Sequence, residues 1–177
     1  MPNYRRALVP GGTYFFTVNL LERNRRLLIE HIDQLRTAFA QARATRPFDV
    51  VAAVVMPDHL HCIWQLPPGD ADNAVRWKSI KAAFSMSLPR GERRSARRME
   101  KGERGIWQRR YWEHLIRDDR DLAMHVDYVH FNPVKHHHVA RVEDWPYSTF
   151  HQYVRSGTLP SDWAGAADDT IRPGERN

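Results

Sequence analysis

Short apolar runs and longer periodic ones alternate along this chain, and their spacing predicts seven elements. Thr13–Asn19 (TYFFTVN) is rich in aromatic and β-branched residues, follows Gly11-Gly12, and reads as a strand. From about Ile29 to Thr45, Ile32, Leu35, Ala38, Phe39 and Ala42 recur at helical spacing, and Pro47 stops the helix. Asp49–Val55 (DVVAAVV) predicts a buried strand, Pro57-Asp58 a turn, and His59–Leu66 a strand paired antiparallel to it. A second helix is expected from about Asn73 to Ser87 on Val75, Ile80, Ala83 and Phe84, then a fourth strand at Ile106–Trp112. Asp118 or Asp119 caps a third helix, which should finish near Asn132 because Pro133 follows.

The order is β-α-β-β-α-β-α, and without its last helix it is the split βαβ, ferredoxin-like order. The expected class is α+β, an antiparallel sheet with helices on one face. No repeat or linker interrupts the pattern. Residues 1–160 therefore read as one domain, and 161–177, rich in Pro, Gly and Asp, as an irregular tail with Trp163 as its candidate anchor.

Charge changes the picture at one place. The chain has 27 Lys and Arg against 21 Asp and Glu, a net +6. Residues 90–110 alone hold nine basic residues against three Glu, so the whole excess lies there. Few apolar residues precede Ile106, and the segment reads as a mobile loop to about Gly105. Such a loop either solubilises the chain or clamps nucleic-acid phosphate with release of counterions. Arg76, Lys78 and Lys81 add positive charge on the second helix. With 177 residues the chain is long enough for one core, and its single cysteine, Cys62, leaves no internal disulfide. The opening Met-Pro-Asn-Tyr-Arg-Arg has no apolar signal region, and no run approaches a membrane span. The expectation is a soluble cytoplasmic protein with no membrane partner.

Candidate chemistry begins at His59-Leu60-His61. Side chains at i and i+2 of a strand share a face, so two imidazoles can close on one ion while Leu60 and Cys62 point into a core. Two structural histidines are the plainer alternative. On the third helix, Leu122, Val126 and Val129 make an apolar stripe, bordered by a polar one of Asp121, His125, Tyr128 and Asn132. A phenol ionises near pH 10 and is a weak nucleophile at neutral pH unless its charge is removed or stabilised. A divalent ion between His59 and His61 could polarise a scissile phosphate and stabilise the leaving 3′ oxygen, with the Asn132 amide oxygen in reach. The two motifs together point to phosphoryl transfer. Tyr111, Tyr147 and Tyr153 are rival nucleophiles, but none has an amide four residues on.

Five blocks in fixed order carry a family resemblance. They are Tyr4-Arg5-Arg6 with Gly11–Asn19; Val55–His61; Trp107–Asp118; Val126–His136; and Asp144–Phe150. Over about residues 4–165 the chain resembles the REP-associated tyrosine transposases, relatives of single-tyrosine insertion-sequence transposases in the HUH endonuclease superfamily. The resemblance implies a ferredoxin-like HUH fold that cuts single-stranded DNA, with His59 and His61 as metal pair, Tyr128 as nucleophile and Asn132 as third ligand. Attack would leave a 5′-phosphotyrosine and a free 3′ hydroxyl. The implied cofactor is a divalent ion, Mg²⁺ or Mn²⁺. The implied partner is single-stranded or hairpin DNA of the repetitive extragenic palindrome type, with no required protein partner and a monomer or weak dimer. His136-His137-His138 departs from the family, where a glycine is expected near the second position.

Arg5, Arg6, Arg93, Arg94, Arg97, Arg98, Arg109, Arg110 and Trp112 are the candidate DNA contacts, with Trp107 and Tyr111 as further aromatics for base stacking. His114, His125 and His130 read as bystanders. Two other classes fit part of the pattern. A hairpin-binding protein without catalysis would not need His59, His61, Tyr128 and Asn132 together. A metal-dependent nuclease using water would need the histidines but tolerate Phe at 128.

Overall fold

The structure, a computed structural model, describes residues 8–164. Its elements are β1 (Thr13–Asn19), α1 (Leu27–Glu30), α2 (Ile32–Thr45), β2 (Asp49–Val55), β3 (His59–Gln65), α3 (Asn73–Ser87), α4 (Ala96–Glu100), β4 (Trp112–Leu115), α5 (Asp119–Lys135) and α6 (Phe150–Arg155). A 3-10 turn at Val142–Asp144 precedes α6.

Nearly every residue of β1 is buried, so it must be covered on both faces and flanked on both edges. It lies between β3 and β4, antiparallel to each, and β2 pairs antiparallel with the far side of β3. The order β2-β3-β1-β4 is that of the split βαβ. Residue alternation sorts the side chains into two cores. Tyr14, Phe16, Val18, Leu60, Cys62 and Trp64 pack under α2 and α3 with Leu35, Trp77 and Phe84. Trp64 and Trp77 stack there with centroids 4.3 Å apart. Each buried aromatic of this kind contributes about 1.5–3 kcal/mol. On the other face, Phe15, Ile63, Ala52 and Val54 meet Val126, Tyr128 and Val129 of α5. The two helices of the split βαβ thus share one face, and the last helix covers the opposite one.

Four local details differ from the pattern of the sequence. The first predicted helix is broken at His31, which leaves the helical region between α1 and α2. The fourth strand starts at Trp112, because the preceding Ile106–Tyr111 segment forms an isolated bridge, Leu20 to Trp107, and packs Tyr111 against Phe16 of β1 without joining the ladder. α5 runs past Pro133 to Lys135. A proline removes one backbone donor, and here the next turn closes with His136 N–H to Asn132 O at 3.0 Å. The basic segment carries the short helix α4 and is stapled rather than loose. Arg104 donates to both Glu92 oxygens and, at 2.6 Å, to the Ser85 carbonyl. Trp163 does anchor the start of the tail, with its ring 6.0 Å from Phe150 and 6.2 Å from His130; the remainder of that tail lies outside the described residues.

Candidate active site

β3 brings the histidines to the α5 side of the sheet. Leu60 and Cys62, the intervening residues, point into the opposite core, as a two-residue period requires. Register places Thr17 directly across from His61 and Asn19 across from His59. The Thr17 hydroxyl lies 2.9 Å from His61 Nδ1, and the Asp58 carboxylate 2.7 Å from His59 Nδ1. A carboxylate only accepts, so His59 carries its proton on Nδ1. Burial opposes ionisation of Asp58, but hydrogen bonds from His59 and Arg23 outweigh it and bring its pKa down to about 2. The two rings stand nearly perpendicular, 4.9 Å between centroids.

α5 supplies the other half. Asp118 caps it, its carboxylate accepting the Asp121 N–H at 2.8 Å. The polar stripe is turned fully inward: Asp121, His125, Tyr128 and Asn132 are all buried, more deeply than Leu122. Tyr128 is 1 % exposed, His59 2 % and His61 0 %. The Tyr128 ring meets His61 edge-on at 5.3 Å and Phe15 at 5.9 Å. Phe15 in turn stacks on His61 at 5.5 Å, so one β1 side chain buttresses both groups from below. Lys135 Nζ donates to the Tyr128 hydroxyl at 3.2 Å, and the His136 ring lies 5.3 Å from His59. Asn132 sits between Tyr128 and His136 along this stretch of helix, one turn from each. Sequence reasoning gave Thr17, Asp58, Phe15 and Lys135 no role at this site, and named His136 only in the run that departs from the family. Strand register brings in Thr17 and Phe15, the continuation of α5 past Pro133 brings in Lys135 and His136, and Asp58 adjoins His59 in the chain.

The donor set suits a divalent ion. In each histidine the Nδ1 atom is engaged by a partner in the protein, the arrangement by which neighbouring groups orient an imidazole for ligation through Nε2. A second group, His114, Asp121 and His125, has donor atoms within 4.8 Å of one another. There His125 Nδ1 lies 2.8 Å from the Asp121 carbonyl and His114 Nε2 2.8 Å from the Asp121 carboxylate. Both acceptors claim a ring proton, which leaves one nitrogen of each ring for a ligand. As it stands this group clamps the start of α5 to β4. Hydrogen bonds from His114 and Arg117 outweigh the burial of Asp121 and lower its pKa to about 2. Burial, with a smaller push from His151, lowers His130 to about 4, and its Nε2 lies 3.1 Å from the Thr149 hydroxyl, away from the histidine pair.

The candidate DNA contacts divide. Arg5 and Arg6 lie outside the described residues. Arg93, Arg97, Arg109 and Arg110 are exposed and Arg94 half-buried. Arg98 is committed inward, donating to the Arg104 and Trp107 carbonyls at 3.2 and 3.3 Å. Arg76 on α3 is likewise structural, buried and bonded to Asp70 and the Pro47 carbonyl, both at 2.7 Å. Trp107 belongs to the core, and Tyr111 donates to Asn73 Oδ1 at 2.6 Å. Trp112, half-buried on β4, pairs directly with Thr17 of β1, meets Phe15 edge-on and stacks parallel to His114 at 6.0 Å, so it borders the Tyr128 face. A cleft of about 600 Å³ between α3 and the segment after α4 is lined by Lys78, Lys81, Arg98, Arg104 and Arg109. Among the described residues no helix is long and apolar enough to cross a membrane.

Comparison with known proteins agrees with this arrangement. Residues 12–132 match the model of the family described as "Transposase IS200 like". A REP-associated tyrosine transposase of Escherichia coli is 46% identical over 176 residues, 99% of this chain and 98% of its own. A Haemophilus influenzae protein provisionally given the same description is 46% identical over 173 residues, 97% of this chain and 98% of its own. The solved structure of a REP-associated tyrosine transposase bound to a REP hairpin superposes with a TM-score of 0.87 at 46% identity, covering 100% of this chain and 99% of that one. The antiparallel α+β fold, the inward-facing histidine pair and these full-length likenesses lead to one conclusion: the chain belongs to the IS200-like transposase family, as an enzyme of the REP-associated tyrosine transposase group.

Proposed function

We propose that this protein cuts and rejoins single-stranded DNA beside a palindromic hairpin, with Tyr128 as nucleophile. The observation that carries the reading is the edge-on meeting of Tyr128 and His61 at 5.3 Å, with His59 beside them on one buried face. His59 and His61 would hold a divalent ion, Mg²⁺ or Mn²⁺, through Nε2, with Asn132 as candidate third ligand. That ion supplies Lewis-acid polarisation of the phosphodiester and charge stabilisation at the 3′ oxygen when bound. Tyr128 Oη forms the new bond to phosphorus, the bond to the 3′ oxygen breaks, and a 5′-phosphotyrosine remains. The exchange conserves a phosphodiester, so rejoining needs no nucleotide cofactor. Phe15 and the Asp58 and Thr17 contacts hold the reacting groups in place before substrate arrives.

The DNA partner is inferred from the hairpin-bound relative and from the cation distribution. Arg93, Arg94, Arg97, Arg109 and Arg110 would take phosphates of the stem, and Trp112 an unpaired base near Tyr128. Residues 1–160 would act as one domain, in the cytoplasm where genomic DNA lies. The test is a denaturing gel of protein with a labelled single-stranded hairpin and Mn²⁺. A covalent band in the wild type, absent in Tyr128→Phe, is expected. Cleavage without an adduct would mean that water is the nucleophile, and binding with neither would leave a hairpin-binding protein.

A further inference from the structure

Lys135 lies two turns beyond Tyr128 on α5, and its side chain folds back along the helix onto the phenol. Its Nζ is 3.2 Å from the Tyr128 hydroxyl and 4.6 Å from the ring centroid. An ammonium group has three donors and no acceptor, so the tyrosine oxygen accepts this bond and feels the charge directly. We infer that Lys135 is a catalytic residue of the strand-transfer step, donating to the Tyr128 oxygen as it attacks and bearing on the phosphoryl charge as it develops. The inference rests on the tyrosine reading above.

The step balances without Lys135 changing its own protonation. The phenol proton leaves to solvent, and an Oη lone pair forms the bond to phosphorus. The bond to the 3′ oxygen breaks with its electron pair on that oxygen, which takes a proton from solvent. No net proton is consumed and nothing is oxidised or reduced. Once Oη is bonded to phosphorus, the same Nζ lies beside an oxygen two bonds from the phosphoryl oxygens. In the reverse direction Tyr128 leaves as phenolate, and the same contact stabilises it. Lys135 therefore speeds cleavage and rejoining alike.

Only the continuation of α5 past Pro133 makes this possible. A helix ending at Asn132 would send Lys135 into a loop. With the helix intact, Tyr128 and Lys135 are seven residues apart and lie on one face.

The experiment uses the full chain, a labelled single-stranded hairpin and Mn²⁺ under single-turnover conditions. Lys135→Met should form the covalent adduct about 100-fold more slowly, the scale for removing one fixed donor from a developing charge. Hairpin affinity and thermal melting should change little. Lys135→Cys, treated with bromoethylamine, regains an amine of nearly the same length. The one native cysteine, Cys62, is buried and leaves the new thiol as the reactive one. Adduct formation should return in the aminoethylated variant and not in treated Lys135→Met. Wild-type adduct rates in Lys135→Met would overturn the inference while the tyrosine reading stands. So would a slow Lys135→Cys that the amine does not restore, since that pattern means lost packing. A wild type that forms no adduct would overturn both.

Discussion

The Thr17 hydroxyl lies 2.9 Å from Nδ1 of His61, directly across the central strand pair. The contact fixes the rotation of a ring whose centroid lies 5.3 Å from that of Tyr128. Thr17→Val keeps the β-branched shape and removes only this bond. Partners of this kind typically account for a 10–100-fold change in metal affinity or activity. The expected outcome is Mn²⁺ affinity lower by roughly tenfold, with hairpin binding unchanged. Calorimetric titration with Mn²⁺ checks it, and unchanged affinity would show that packing against Phe15 alone orients the ring.

Asp121 ties His114 of β4 to the first turn of α5, and its pKa is lowered to about 2 against an ordinary carboxylate value near 4. A depressed carboxylate adds stability above its unfolded pKa and loses it as pH falls through the folded one. The window therefore runs from about pH 4 down to about pH 2, and the contribution at neutral pH is on the order of 2 kcal/mol. Asp121→Asn should lower the denaturation midpoint at pH 7 and flatten the acid limb in that window. Asp58 and Glu92, also lowered to about 2, keep part of the limb in the variant. Urea melts from pH 2 to 7 measure both effects.

The arginines after α3 should separate by role. Arg93→Gln, Arg94→Gln and Arg97→Gln together are expected to reduce the salt dependence of hairpin binding by up to about three phosphate contacts. Arg98→Gln should instead leave the salt slope alone and destabilise the fold by about 1–3 kcal/mol, because the Arg104 and Trp107 carbonyls lose their donors. Binding isotherms across a salt series, beside urea melts, distinguish the two. Equal slopes in all variants would make the segment a bystander.

His137 adopts φ 57°, the left-handed conformation that closes α5. A glycine reaches this region without the Cβ penalty. His137→Gly should therefore stabilise the protein by about 1 kcal/mol, offset in part by the greater freedom of glycine in the unfolded chain. A thermal melt tests it, and a lower midpoint would mean that the His137 ring makes a compensating contact. The sequence departure at this site places a histidine where the backbone favours glycine.

What the sequence determined by itself is what depends on local period. The two-residue repeat of β3 puts His59 and His61 on one side and Leu60 and Cys62 on the other, whatever lies around them. The helical repeat likewise sets Tyr128 and Asn132 one turn apart, and the element order already specified the split βαβ. Local signals were less reliable at boundaries. Pro133 reads as a stop, yet one missing donor is a small loss for a helix packed along its whole buried face, and α5 continues. That misreading placed Lys135 and His136 outside the site.

Tertiary structure decided everything that joins distant segments. Strand register, set by which faces must be buried, put Thr17 opposite His61 and Trp112 opposite Thr17. Packing turned the polar stripe of α5 toward the sheet, where Phe15 bridges His61 and Tyr128. It also drew Arg76, Arg98 and Arg104 out of the apparent basic surface, because buried carbonyls need donors and a long guanidinium reaches several at once. Composition counts charges, but only the folded chain determines which of them remain for DNA.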